Sequence, residues 1–157
     1  MIFVDNCTLS ALYKLKQLSL LSHLFSKIFV PLEVINEFSE QWKNVTLPNE
    51  YIVKEKPPTY PKHLLSNPLY TRLGRGEQSA IAWAIQTGSL FCSDDLQVRK
   101  IAEKLSIPVI GTLGLCKLAY KQHYFNNPSD YSIIIDLLSQ DLRLSPELIR
   151  WAKNIED

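Results

Sequence analysis

The sequence predicts an α/β protein in which a parallel sheet is covered by helices on both faces. Short uncharged apolar segments alternate along the chain with segments whose apolar residues recur at helical spacing. Strands that alternate with helices in this way form parallel sheets, because each strand needs a crossover to reach its neighbour. A length of 157 residues with 46% hydrophobic and 21% charged residues is that of one globular domain, so residues 1–157 are predicted to form a single domain.

The N-terminal third carries two buried strands and two helical regions. Ile2–Val4 is predicted as the first strand, and Thr8 is predicted to cap a helical region that runs in two pieces from residue 9 to 24. Residues 27–30 form the next predicted strand. Pro31 then stands at the first turn of a helix, where proline is tolerated. The apolar stripe of that helix consists of Val34, Ile35 and Phe38.

Periodicity is lost between residues 41 and 68, where an edge strand at 51–53 and a short helix are predicted. The rest of the chain alternates regularly again. The predicted helices begin at Glu77 and cover 96–105 and 113–120, and the predicted strands are 90–93 and 107–110. Residues 128–157 are predicted to hold two closing helices, at 131–138 and 145–155, the second starting with Ser145-Pro146-Glu147.

Composition and charge exclude several classes of protein. No apolar run approaches the ~20 residues that cross a bilayer, and the N-terminus lacks the pattern of a signal peptide. Three cysteines without metal-type spacing favour reduced thiols in the cytoplasm, and three scattered histidines argue against a zinc site. A net charge of +1 means that nucleic acid would have to bind to a local basic patch.

Four acidic residues are predicted to converge at one edge of the sheet. Asp5 and Asp94 follow strands directly, and the carboxyl ends of parallel strands share the edge where α/β proteins build their sites. Glu37 and Glu77 lie in helices that can reach the same cleft. Taken singly, Asp95 is equally explained as a helix cap, and Glu77 as an acid at the positive end of its helix.

Converging carboxylates without His or Cys suit a hard cation, Mg²⁺ or Mn²⁺, because like charges at close range need a positive charge among them. Such ions serve phosphate chemistry. Asp5 and Asp94 are the predicted primary ligands, with Glu77 binding directly or through water. Glu37 would bind a second ion or orient the attacking water, and two neighbours would hold metal-bound waters, Asn6 and Ser93.

Residues 2–120 resemble a known family. The segments FVDNCTLSALYKL, VPLEVINEF, LGRGEQSAIAWA, LFCSDDLQVRKIA and IPVIGTLGLC are similar to those of PIN-domain proteins, the ribonuclease family that includes VapC-type toxins of bacterial toxin–antitoxin pairs. The resemblance implies a three-layer α/β/α sandwich with a central parallel five-stranded sheet, and metal-dependent cleavage of RNA phosphodiester bonds. The function predicted on this basis is a Mg²⁺/Mn²⁺-dependent endoribonuclease that acts on single-stranded RNA. It also implies a homodimer and an antitoxin protein as partner.

The resemblance assigns site residues by position. Asp5 matches the first acid of the family motif and Glu37 the second, while Glu77 stands where many members carry Asp. Asp94 or Asp95 supplies the fourth acid; strand geometry favours Asp94 as the metal ligand and Asp95 as the helix cap. Thr112, in the Gly-Thr pair after the last strand, is predicted to support the site.

Basic and aromatic residues give weaker signals. Two interpretations explain four basic residues equally well: contacts with RNA phosphates, or positions at solvent-exposed helix ends. The residues are Arg72, Arg75, Arg99 and Lys100. Arg99 could instead pair with a site acid. Three tryptophans are predicted to pack in the protein rather than to stack on bases: Trp42, Trp83 and Trp151.

Two other functions compete with the nuclease. The first is a catalytically inactive PIN-fold module that binds RNA or protein. The second is a phosphoacceptor receiver domain, which needs adjacent acids after its first strand and a Lys after its last. Asp5 stands alone, and Gly111-Thr112 occupies the place of the Lys, so the sequence disfavours a receiver domain.

Overall fold

The protein is described by a computed structural model that covers residues 1–56 and 58–154. Its described strands form one all-parallel five-stranded sheet with the order β3-β2-β1-β4-β5. The strands are β1 (Ile2–Val4), β2 (Ile28–Pro31), β3 (Ile52–Lys54), β4 (Leu90–Cys92) and β5 (Val109–Ile110). This order differs from the 2-1-3-4-5 order of receiver domains, so the receiver reading is wrong.

Helices connect the strands and follow the last one. They are α1 (Asn6–Lys14), α2 (Ser19–Leu24), α3 (Leu32–Gln41), α4 (Lys62–Leu65), α5 (Pro68–Thr71), α6 (Arg75–Thr87), α7 (Leu96–Lys104), α8 (Thr112–Lys121), α9 (Pro128–Leu142) and α10 (Pro146–Lys153). None of the helices in the described ranges is long and apolar enough to cross a membrane.

Two separate cores lie on the two faces of the sheet, because successive side chains of a strand point to opposite faces. Phe3, Phe29 and Phe91 pack on one face with residues of α4 to α7. Ile2, Val4 and their counterparts in β2 and β4 pack on the other face with residues of α1 to α3 and α8 to α10. The predicted three-layer α/β/α fold is therefore confirmed.

Helix boundaries differ from the prediction where a cap was misjudged. Asp5, not Thr8, caps α1, since the Asp5 carboxylate accepts a hydrogen bond from the backbone N–H of Thr8. α9 begins at Pro128, before its predicted start at residue 131, because Asn127 caps it and Pro128 occupies its first turn. α10 follows Ser145 as predicted, and its predicted end at residue 155 lies outside the described residues.

The C-terminal helices pack against α8 through specific polar contacts as well as apolar ones. The buried Tyr131 of α9 donates from its hydroxyl to the carbonyl oxygen of Ala152 in α10, at 2.6 Å. Lys117 of α8 donates to the carbonyl oxygen of Trp151, at 2.8 Å. These bonds hold α9 and α10 on the outer side of α8. The grouping of residues 1–157 into one domain stays a prediction.

Candidate active site

Asp5 and Asp94 leave the sheet side by side because their strands are neighbours. Val4 of β1 pairs with Cys92 of β4, and the Asp5 N–H donates to the Cys92 carbonyl oxygen at 3.3 Å. Ser93 continues along β5 through a bond from its N–H to the Ile110 carbonyl oxygen. The two acids thus stand at the carboxyl edge of the central strands, where ligands of open α/β sheets bind.

Asp5 is a nearly buried acid, with 4% of its surface exposed. Burial raises the pKa of Asp5 from an ordinary value of 3.8 to about 7, and the negative charge of Asp94 adds to the rise. Hydrogen bonds from the Thr8 N–H, at 3.0 Å, and from the Ser93 side chain lower this pKa in part. Ionising Asp5 is therefore costly unless a positive charge comes near.

Asp94 is held by the first residue of α8. One carboxylate oxygen accepts the Thr112 N–H at 2.7 Å, and the other accepts the Thr112 hydroxyl. The Thr112 hydroxyl oxygen also lies 3.2 Å from that of Thr8, whose N–H caps onto Asp5. Thr8 and Thr112 are both fully buried, so this short polar chain connects the two acids through the protein interior. Thr112 has the neighbouring position that the sequence predicted for a supporting residue.

A second pair of acids lies where α3 meets α6. The Glu37 carboxylate accepts a bond from the Gly76 backbone; partial burial raises the pKa of Glu37, and the Glu77 charge raises it further. Glu77 accepts the Gly74 N–H at 3.0 Å and so caps its own helix. Burial also raises the pKa of Glu77, with a contribution from the Asp95 charge. Glu77 is therefore a helix-end acid, as one interpretation of the sequence has it, and it also lies near enough to Asp95 to feel that residue's charge.

Asp95 caps α7, as the sequence predicted. One of its carboxylate oxygens accepts the N–H groups of Gln97 at 2.9 Å and Val98 at 3.1 Å. The Asp95 N–H donates in turn to the Ser93 hydroxyl at 3.2 Å. Ser93 is fully buried. Its side chain also forms a hydrogen bond with Asp5, so Ser93 bridges Asp5 and Asp95. Its position supports the backbone from which both Asp94 and Asp95 project.

Cys7 shows that the acids surround a common point. Its thiol lies at the surface, yet partial burial and then four negative charges raise the pKa of Cys7 to about 11. The four charges are those of Asp5, Asp94, Glu77 and Asp95. A single side chain feels all of them, so the strand-end acids and the helix-end acids share one electronegative cleft. Cys7 therefore lies at the surface beside the acids and not in the core.

Sequence reasoning missed the network that holds Asn6. The Asn6 amide donates to the Gln41 side-chain oxygen at 3.1 Å, and Ser10 lies within hydrogen-bond distance of both residues. The Trp42 ring N–H donates to Ser10 at 3.0 Å. Both ends of the Asn6 amide are thereby engaged between α1 and the end of α3. No pattern in the sequence pairs these positions, because they meet only when the two helices pack.

The donor chemistry of the cleft fits a hard divalent cation, since its charged groups are carboxylates. The buried Asp5 beside Asp94 points the same way, because a cation would offset the cost of ionising both acids. In residues 1–56 and 58–154, no group of three or more His, Cys, Asp or Glu side chains is placed to hold an ion. Asp5 and Asp94 are therefore the pair around which further ligands would gather.

The four predicted RNA-binding residues differ in their exposure. Arg72, Arg75 and Lys100 are exposed, whereas Arg99 is half-buried beside Gly111. In the described part of the chain, none of the four forms an ion pair at 4.0 Å or less. The suggested pairing of Arg99 with a site acid is thus absent there, although its guanidinium and Asp94 flank the same glycine.

Comparison with known families agrees with this architecture. A family model described as PIN domain matches residues 1–154, so the chain belongs to the PIN-domain family. The family resemblance predicted from the sequence is thereby confirmed. PIN domains are typically nucleases and typically depend on metal ions. No curated protein matches the chain.

Proposed function

We propose that the protein is a Mg²⁺- or Mn²⁺-dependent endoribonuclease that cleaves phosphodiester bonds of single-stranded RNA. The observation that carries this proposal is the pair Asp5 and Asp94, adjacent at the ends of the two central strands and close enough for one charge to raise the pKa of the other acid. Two acids in that relation need a cation, and phosphate chemistry is the usual use of a hard cation bound by carboxylates. Membership of the PIN-domain family supports the same activity.

The roles of the residues follow from their environments. Asp5 and Asp94 would hold the metal, with Glu77 and Asp95 as further or water-mediated ligands. A bound Mg²⁺ or Mn²⁺ supplies neutralisation of phosphate charge and acidification of a water molecule. Glu37 suits the orientation or deprotonation of the attacking water, because its raised pKa brings it nearer to neutral pH. Thr112 and Ser93 hold the ligands in place, and Asn6 is fixed beside Asp5 in the chain.

The biological role that we propose is that of the toxin of a type II toxin–antitoxin pair, acting as a homodimer and inhibited by an antitoxin protein. This role rests on the family to which the chain belongs. The cytoplasm is the proposed compartment, and the three free cysteines support it because disulfides are rare there. Co-expression with the product of an adjacent small gene would test the role, with growth arrest relieved by the partner as the expected result.

A second candidate is a PIN-fold module that binds RNA or protein without cleaving it. Two observations favour it: Glu77 uses its carboxylate to cap its own helix, and no metal-holding group of three side chains is present in the described ranges. This module would bind RNA without a divalent ion. Calorimetric titration with Mn²⁺ separates the two candidates, because only the nuclease needs to bind the ion.

The decisive experiment is cleavage of a mixed-sequence single-stranded RNA by the purified protein with Mn²⁺, Mg²⁺ or EDTA. Asp94→Asn is expected to abolish cleavage while the protein stays folded. Asp141→Asn is the matched control, since Asp141 lies in an exposed ion pair with Lys14. Metal-dependent cleavage that Asp94→Asn leaves at the parental rate would contradict the assignment of the site.

A further inference from the structure

A groove of about 860 Å³ opens beside the candidate active site and is not used by the acids. It lies along the free edge of the sheet, next to β5, between α7 on one side and α8 with α10 on the other. Its walls are largely apolar, and three of the apolar residues in them are exposed: Leu96, Leu148 and Trp151. We call this the β5-edge groove. Asp94 is part of its lining, so the groove is continuous with the cleft.

Three cations line the β5-edge groove, Arg99, Lys117 and Lys121, against one acid, Asp94. Within residues 1–56 and 58–154, none of these cations forms an ion pair. Lys117 and Lys121 are one helical turn apart on α8, and Arg99 projects from α7 on the opposite side. The groove therefore presents positive charge along its length and suits an occupant that carries repeated negative charges.

Lys117 and Trp151 form a built contact inside the groove. Lys117 is only 5% exposed, and its ammonium lies 4.2 Å from the centre of the Trp151 ring. That ammonium donates one of its three N–H groups to the Trp151 carbonyl oxygen. The cation supports one face of the indole, while 46% of the residue remains exposed. An exposed indole supported in this way is a platform on which a flat ring can stack.

A buried glycine, Gly111, lies between Asp94 and Arg99 where the groove meets the acids. A Cβ atom at Gly111 would lie 3.0 Å from an Asp94 carboxylate oxygen and 3.1 Å from the Arg99 guanidinium. Any side chain there would displace one of these groups. An RNA strand bound at Asp94 would therefore lie beside Arg99, which lines the same groove.

We propose that the β5-edge groove binds the nucleotides of the RNA strand that flank the scissile phosphate, with one base stacked on Trp151 and phosphates on Arg99 and Lys121. This inference rests on the proposed nuclease function. Repeated phosphates match the spread of cations, and a base matches the exposed indole. Continuity with Asp94 favours the substrate over a protein partner, because the substrate must lie across the acids.

The test is RNA binding without cleavage, measured in EDTA with a short fluorescently labelled single-stranded RNA of mixed sequence. Trp151→Ala is expected to weaken binding by about five-fold or more, as for one lost stacked base. Lys121→Gln is expected to lower the slope of log K against log salt by about 0.7, as for one lost phosphate contact. Leu137→Ala and Lys104→Gln are matched exposed controls outside the groove and should bind as the parent does.

Each outcome decides the inference separately from the nuclease. The proposed RNA-binding role of the groove is overturned if the groove variants bind RNA with the parental affinity and salt slope, even if the parent cleaves RNA. It is also overturned if the parent binds no RNA in EDTA. In the first case, sedimentation of the parent and of Trp151→Ala would test whether a second copy of the chain occupies the groove. Weaker binding by both variants, from a parent that never cleaves, supports the groove and rejects the nuclease. Lys121 is exposed, so its variant keeps the test valid if Trp151→Ala fails to fold.

Discussion

Replacing Asp5 by Asn should make the folded protein less sensitive to pH, because Asp5 is a buried acid. Its pKa is about 7 in the folded protein against an ordinary value of 3.8. The folded state thus binds more protons than the unfolded state between these values, so the free energy of unfolding falls as pH rises through that window. From about pH 5 to about pH 8 this one group lowers the free energy of unfolding by roughly 3 kcal/mol.

Asn is the informative substitution because it can still cap α1 by accepting the Thr8 N–H. The assay is urea unfolding of parent and Asp5→Asn in EDTA at about pH 5 and about pH 8. Between the two pH values, the free energy of unfolding of the variant is expected to rise by about 3 kcal/mol relative to that of the parent. Asp95→Asn, the same substitution at the exposed cap of α7, is the matched control for replacing a capping carboxylate by an amide.

Metal addition extends the same experiment. At the higher pH, Mg²⁺ or Mn²⁺ should stabilise the parent, since an ion that binds only the folded state adds to its stability. The same ions should leave Asp5→Asn nearly unchanged. A stability difference between variant and parent that stays constant with pH would refute the assignment of a raised pKa to Asp5. Equal stabilisation of both proteins by metal would refute its role as a ligand.

Three further substitutions test how the site and the core are held. Thr112→Val removes the hydroxyl that donates a hydrogen bond to Asp94 and should slow cleavage about ten-fold or more. Thr112→Ser keeps a hydroxyl and should retain most of the rate. Equal initial rates for the two variants would exclude a role of the hydroxyl in cleavage. Gly111→Ala places a methyl group between Asp94 and Arg99. The initial rate of cleavage should fall, while the melting temperature should change little. A parental rate would show that these groups can move aside. Phe91→Ala empties a fully buried position in the core under α6 and α7 and should cost about 3–5 kcal/mol in urea unfolding, whereas a loss near zero would mean that the core refills the space.

The strands of the sheet were accessible from local pattern, with limits at the ends of elements, whereas their order in the sheet was not predicted. Short apolar segments predicted all five strands. For β1 and β2 the reason is that a parallel strand buried on both faces has few polar positions, whereas β3 is an exposed edge strand. Cap choice was the weak point. Thr8 and Asp5 are both good caps, and only the course of the chain after β1 decides that Asp5 takes the bond.

The sequence by itself determined the family, the parallel sheet and the position of Asp5 and Asp94 at the ends of strands, because these follow from short-range pattern and from the rule that parallel strands share an edge. Tertiary structure alone decided which partners those acids meet. Thr112 reaches Asp94 only because α8 starts beside the end of β4, and Asn6 meets Gln41 only because α1 packs near α3. The same holds for Trp151, predicted as a packing residue, which lines a groove made by separate elements. Such contacts depend on how helices are placed on the sheet, and a periodic pattern gives the buried face of each helix but not its neighbours.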